Sequence, residues 1–201
     1  MAKTWFFSDP HFGDENIFNT TQRHLRFDSV NYHDEAIVDL WNSTVKSDDT
    51  VYLLGDLGDI QSKPNYVKDN LLKLNGHIIL ILGNHDKESF NSTDELKTYL
   101  DDCNITEYYD KPILIDDFWL LSHEPVFVNQ FSPFANIFGH VHDNHIYRTV
   151  SDHAFCVCEE RIGFKPIDFD KIKSEIKAYN NALRKDDVTT LGYNDRKEYY
   201  L

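Results

Sequence analysis

The sequence predicts an α/β protein in which two packed sheets carry helices outside, and three observations support that prediction. The first half alternates strand-length apolar runs with amphipathic stretches, giving strand, helix, strand, helix, strand, the pattern of a parallel sheet. The second half changes to short β-like runs. At 201 residues the chain is long enough for one domain with a sizeable core and too short for two generous ones.

The elements follow in order. Residues 3–8 read as a strand followed by a polar loop. In "DEAIVDLWNSTV", 34–45, a helix puts Ile37, Leu40, Trp41 and Val45 on one face, with Asp34 as its cap. Residues 50–54 form a second strand. A helix over 64–74 starts at Pro64, turns Leu71, Leu72 and Leu74 inward, and ends at Asn75-Gly76. Residues 78–82 are a third strand, and 93–100 a helix. Short β-like runs come next at 105–109, 112–116, 118–122, 136–139, 145–150 and 153–158, with Asp116-Asp117 as a tight turn. A final amphipathic helix covers 170–184. We expect a single domain over 1–201, with a motif-bearing core at 3–167 and a C-terminal helix and charged tail at 168–201.

Composition narrows the function. The chain holds 34 acidic and 20 basic residues, a net charge of −14. Such a surface repels a polyanion, whereas nucleic-acid binding needs a basic face to displace counterions. A long nucleic-acid partner is therefore not expected, and a small phosphorylated substrate is still allowed. The longest apolar stretches are strand-length, so no membrane span is expected. The N-terminus "MAKTWFFSDPHFG" meets polar residues too early for a signal peptide, which gives a cytoplasmic expectation. Three cysteines, Cys103, Cys156 and Cys158, form no disulfide framework. Cys156 and Cys158 with His153 have no fourth partner for a metal clip, and read as small apolar strand residues.

The chemistry gathers at strand ends. The first strand is followed by Asp9-Pro10-His11, the second by Gly55-Asp56-Leu57-Gly58-Asp59, and the third by Gly83-Asn84-His85-Asp86. Later, "WLLSH" ends at His123 and "NIFGHVH" at His140 and His142. Packing alone has no reason to place His, Asp and Asn repeatedly at one edge, and strand C-termini are where open α/β sheets carry their sites. Such ligands, with no thiolate, suit divalent ions such as Mn²⁺, Fe²⁺ or Zn²⁺. Two ions about 3.5–4 Å apart polarise a phosphoryl oxygen and generate hydroxide at neutral pH.

These motifs closely resemble those of the calcineurin-like metallophosphoesterase superfamily: D-x-H, G-D-x-x-D, G-N-H-[DE], a single His, and G-H-x-H. All occur in order between residues 9 and 142. The framing resembles the small, single-domain bacterial and phage-type members. The resemblance implies a four-layer α/β/β/α sandwich of two mixed sheets flanked by helices. It also implies that Asp9, His11, Asp56 and His142 hold one ion and that Asp56, Asn84, His123 and His140 hold the other, with Asp56 as the bridge. Mn²⁺ is the first expectation, Fe²⁺ and Zn²⁺ the alternatives. His85 would face the leaving-group oxygen, oriented by Asp59. Where the superfamily's protein phosphatases follow the second motif with Arg, this chain has Ile60, which weakens that reading.

Some residues keep a structural alternative. Asn84 could cap a helix starting at Asp86, His123 could be a satisfied core histidine, and Asp59 an ordinary acidic loop residue. Asp86 reads as a cap or hydrogen-bond acceptor rather than a ligand. His24, His33, His77, His145 and His153 match no motif and default to surface or structural roles. Arg23 and Arg26 follow the first motif, where a guanidinium fork suits phosphate and an exposed salt bridge is the alternative. Phe127, Phe131 and Phe134 form either an aromatic wall for a nucleobase or, the preferred reading, packing under a loop.

The expectation is a dinuclear-metal-dependent phosphoesterase working by in-line attack of a metal-bound hydroxide. A phosphodiesterase on a small nucleotide-like substrate comes first. A phosphomonoesterase is the runner-up; a silent scaffold and a nuclease rank below both. The sequence does not determine oligomeric state.

Overall fold

A computed structural model describes residues 2–129 and 131–190. The elements in chain order are β1 (Thr4–Phe7), α1 (Glu15–Thr20), α2 (Arg23–Arg26), α3 (Val30–Thr44), β2 (Thr50–Leu53), α4 (Pro64–Leu71), β3 (His77–Ile81), α5 (Asn84–Glu88), α6 (Thr93–Asp101), β4 (Ile105–Tyr109), β5 (Ile113–Ile115), β6 (Trp119–Ser122), β7 (Ala135–Phe138), β8 (Ala154–Cys156), α7 (Glu159–Ile162), β9 (Ile167–Asp168) and α8 (Phe169–Thr190).

Two mixed sheets with flanking helices result. The larger has the order β4-β3-β2-β1-β9, parallel except for β9, and the smaller β5-β6-β7-β8, in which β5 alone runs antiparallel to its neighbour. Register makes the site possible. Phe7 lies beside Leu53 and Leu53 beside Leu80, so the loops after β1, β2 and β3 leave from one edge. Ser122 pairs with Phe138 and Phe138 with Cys156, which aligns the ends of β6, β7 and β8 in the same way. A parallel bridge between Ser8 and Cys158 brings the two edges together.

Successive strand residues point to opposite faces, and the cores divide accordingly. Phe7, Val51, Leu53, Ile78 and Leu80 join Ile37, Trp41, Val67 and Leu71 of α3 and α4 in one cluster. Phe6, Leu54 and Ile81 join Leu121, Ile137 and Phe155 of the smaller sheet, with Ile172 and Ile176 of α8, in the other. Each such side chain contributes about 1.5–3 kcal/mol when fully buried. The sheets therefore hold the loops on a rigid base.

Several sequence expectations change. α3 starts at Val30, where the Ser29 side chain accepts from Tyr32 N, because the Asp34 carboxylate turns inward to accept from Gly13 N at 2.7 Å. Leu72 is 53% exposed, since α4 ends at Leu71 and the chain turns away from the core. Residues 145–150 form no strand; the Tyr147 carbonyl there is bound by Arg161 instead. The polar loop after β1 contains α1 and α2, and α8 begins at Phe169. The Asp116-Asp117 turn is present, both residues at positive φ as a tight hairpin requires. The end of the charged tail, past residue 190, lies outside the described residues.

Candidate metal centre

The five loops converge through an unusual backbone. Asp9, His11, Asp56, His140 and His142 all have positive φ, between 44° and 69°. For residues with a Cβ this costs about 1–2 kcal/mol each, and such strain clusters where geometry serves a site. The loops also approach too closely for side chains at two points. A Cβ on Gly83 would collide with the Asp56 carboxylate, and one on Gly139 with Ser8 and Asp9.

Electron-pair donors converge. His123 Nδ1 donates to the Leu54 carbonyl at 2.6 Å, so its Nε2 presents a lone pair. That Nε2 lies 3.1 Å from Asn84 Oδ1, 3.1 Å from His140 Nδ1 and 3.2 Å from Asp56 Oδ2. His140 Nδ1 is in turn 3.0 Å from Asn84 Oδ1. Across the centre, His11 Nε2 lies 3.5 Å from the same Asp56 Oδ2. Asp9, His11 and His142 form a second group of suitable atoms, with His142 Nε2 4.0 Å from Asp9 Oδ1. One oxygen, Asp56 Oδ2, thus faces both groups. The other, Oδ1, accepts from His85 N at 3.0 Å.

Without a cation these atoms repel, and protons take its place. Burial works against a charged His11, but the Asp14 and Asp56 carboxylates, 3.3 and 3.5 Å away, outweigh it and raise its pKa to about 9. Burial likewise opposes charge on His123, and Asp56 and Asp9 raise it to about 10. Burial would raise Asp56, but the neighbouring His11 and His123 push it well below the usual carboxylate range. His140 moves down, through burial and the neighbouring His123 charge. Both nitrogens of buried His11 lack a hydrogen-bond partner of good geometry. A buried acceptor cluster of this composition fits divalent cations, which displace such protons.

The structure brings Asp9, His11, Asp56, Asn84, His123, His140 and His142 to one place. Asn84 is the first residue of α5 rather than its cap, which is Gly83. His85 stands edge-on to His11, with ring centroids 5.0 Å apart. Asp59 lines the same small recess as His85, about 120 Å³ in volume, but its Oδ1 accepts from Ser62 N; no Asp59–His85 hydrogen bond occurs among the described residues. The expected orientation of His85 by Asp59 is therefore absent from this geometry.

Both arginines are placed differently from expectation. Arg23 is fully buried, its guanidinium on the carbonyls of Asp9 and Pro10 and the carboxylates of Glu159 and Glu160, so it cannot meet a substrate. Arg26 lies over the Phe164 ring, 4.7 Å from its centroid. Phe127 and Phe131 are 91% and 86% exposed, which overturns packing under a loop for those two. Cys156 and Cys158 are buried as expected, and His33 is buried between Asp34 and Glu159.

Asp86 is the hydrogen-bond acceptor the sequence reading expected, and three further supporting residues escaped that reading wholly or in part. Asp86 accepts from Asp56 N, Leu57 N and Gly83 N, tying two ligand loops together; its place in the third motif was the available signal. Asp14 caps α1 and lies 3.3 Å from His11 Nδ1. Glu160 lies 3.1 Å from His142 Nδ1. Arg23 was singled out for the wrong partner.

This fold and site define a metal-dependent hydrolase of phosphate esters. The chain belongs to the calcineurin-like phosphoesterase family, whose model matches residues 2–186. It is 29% identical over 178 residues to an uncharacterized protein of Methanocaldococcus jannaschii, covering 86% of this chain and 90% of that one. It is 37% identical over 91 residues to the gene 66 protein of Mycobacterium phage L5, covering 43% and 41% of the two chains. Among solved structures, a protein of unknown function from Aquifex aeolicus superposes with a TM-score of 0.62 at 28% identity, covering 88% of this chain and all of that one. No helix among the described residues is long and apolar enough to cross a membrane.

Proposed function

We propose that the chain holds two divalent ions, Mn²⁺ first among them, and hydrolyses small nucleotide-like phosphodiesters. The observation that carries the reading is the single oxygen Asp56 Oδ2, 3.5 Å from His11 Nε2 and 3.2 Å from His123 Nε2. One carboxylate oxygen facing two ligand sets is what a bridged pair of ions requires. Asp9, His11 and His142 complete one set with Asp56; Asn84, His123 and His140 complete the other. When bound, the ions supply Lewis acidity toward the phosphoryl oxygens and lower the pKa of water.

The chain's own groups do the rest. The strained loops hold the ligands before substrate arrives. His85, fixed through its backbone N–H on Asp56 Oδ1, donates a proton to the departing oxygen. The recess beside it contains Asp14, Asp59 and Glu88, which disfavours an anionic leaving group. Arg23 is occupied elsewhere and Arg26 is stacked on Phe164, so neither arginine is posed to neutralise the extra charge of a monoester. The net charge of −14 disfavours nucleic acid, and buried Ile60 in place of arginine disfavours phosphoprotein. The test is kcat/KM on matched diester and monoester substrates with Mn²⁺, using Asp56→Asn to exclude contaminants. We expect the diester to lead. A monoester advantage of tenfold or more, about 1.4 kcal/mol, replaces this reading with a phosphomonoesterase.

A further inference from the structure

The motifs leave unexplained three consecutive charged residues, Glu159, Glu160 and Arg161, which open α7 directly after the bridge that joins the sheets. All three side chains reach toward the ligand loops or their supports. Arg161 donates from Nε to the His142 carbonyl at 2.6 Å and from its other nitrogens to the carbonyls of Tyr147 and Asn144. Glu160, buried, places Oε1 3.1 Å from His142 Nδ1 and accepts from Arg23 Nε at 2.9 Å. Arg23 also donates from Nη2 to the Asp9 carbonyl at 2.7 Å and from Nη1 to that of Pro10.

His142 Nδ1 has two neighbours that demand opposite tautomers. Glu160 Oε1 at 3.1 Å can only accept, whereas Arg23 Nη2 at 3.4 Å can only donate. The carboxylate is closer, and Arg23 Nη2 makes its short bond to the Asp9 carbonyl at 2.7 Å instead. The proton therefore sits on Nδ1. Nε2, on the Asp9 side of the ring, keeps its lone pair.

We propose that Glu160 is a positioning residue for the metal ligand His142: it accepts the Nδ1 proton, turns Nε2 toward Asp9, and is itself tied by Arg23 to the loop that carries Asp9. This rests on the two-ion reading above. A carboxylate behind a ligating histidine fixes its tautomer and ring orientation, and its loss costs about 10–100-fold in metal affinity. Glu159 is the matched control. It lies as close to Arg23, 2.9 Å, and touches His33, but does not touch His142.

The experiment is a Co²⁺ titration of the full chain in competition with a chromogenic chelator. Wild type should bind two ions. Glu160→Ala should keep one at wild-type affinity and hold the other about 10–100-fold more weakly, while Glu159→Ala keeps both affinities. Unchanged affinities in Glu160→Ala, or equal weakening of both sites in both variants, would overturn the positioning role alone. A wild-type chain that binds one ion or none overturns the two-ion reading and this inference with it. Should Glu160→Ala not fold, ¹⁵N NMR of the imidazoles in Zn²⁺-loaded wild type decides: Nδ1–H on His142 upholds the proposal and Nε2–H ends it.

Discussion

The two sheets contribute ligands to one centre on unequal terms. The loops of the five-stranded sheet carry Asp9, His11 and Asp56, all at most 1% exposed, and half-buried Asn84. They are laced to each other by Asp9 N to Gly55 O, His11 N to Asp56 O, and the three amides held by Asp86. The four-stranded sheet supplies His123, equally buried, but also half-buried His142 and exposed His140. The first region holds its ligands by hydrogen bonds among its own backbones. The second holds His123 by the Leu54 carbonyl and His142 by Glu160 and Arg23 behind the ring, and among the described residues the His140 ring meets only other ligand atoms. Damage to the first region should therefore register in folding and in both ions, and damage at His140 in one ion alone.

The largest effect should come from Asp56→Asn, which alters the oxygen that faces both ligand sets. Bound metal, measured by elemental analysis after Mn²⁺ reconstitution, should fall from two ions toward none, and activity should fall to that of metal-free protein. Retention of two ions would break the comparison, because Asp56 would then not be shared. Next in size is His85→Ala, with both ions kept and the rate on a poor leaving group reduced about 10²–10⁴-fold. The defect should shrink on a p-nitrophenyl ester, whose leaving group needs little protonation; equal losses on both esters would remove His85 from that role.

His140→Ala sharpens the contrast between sheets. Both residues carry a Cβ, so backbone strain is unchanged, and the exposed position should leave unfolding free energy within about 0.5 kcal/mol. One of two ions should nevertheless be lost. Asp86→Ala should do more to the fold, since three buried amides lose their acceptor; each costs about 1–3 kcal/mol when left unpaired. Denaturant unfolding of the two variants side by side checks the ranking.

A pH dependence is expected in the support of the first region. His33 faces Glu159, Asp34 and Arg23. Burial opposes its charge and Arg23 repels it, yet Glu159 and Asp34 together raise its pKa from 6.5 to about 9. A pKa raised by folding gives stability that is fully present below the unfolded value and lost as pH rises through the folded one. Metal-loaded protein should therefore lose stability between pH 6.5 and 9. Urea unfolding across that range should show a decline in wild type that is reduced in His33→Gln, and identical slopes would refute it.

Much of the site was legible in the sequence because its ligands follow strands, and strands announce themselves locally. An apolar run such as Ile78–Leu82 ends where polar residues begin, and parallel strands in register must end at one edge. The positions of Asp9, Asp56, Asn84, His123, His140 and His142 follow from that rule together with the motif spacing.

What supports those ligands was decided by tertiary structure. Arg23 meets Glu160 across 137 residues, His33 meets Glu159 across 126, and Asp34 meets Gly13 across 21. Periodicity reports which face of an element is buried, but it does not report which distant chain will cover that face. Arg23 on a polar stretch read as a phosphate ligand or an exposed salt bridge, and became a buried brace because α2 packs against α7. Asp34 at the start of an apolar face looked like a cap, and became an acceptor because the loop after β1 lies over α3. A buried charge is tolerated only beside a partner, and here the partners arrive only when the helices and the two sheet edges close on each other.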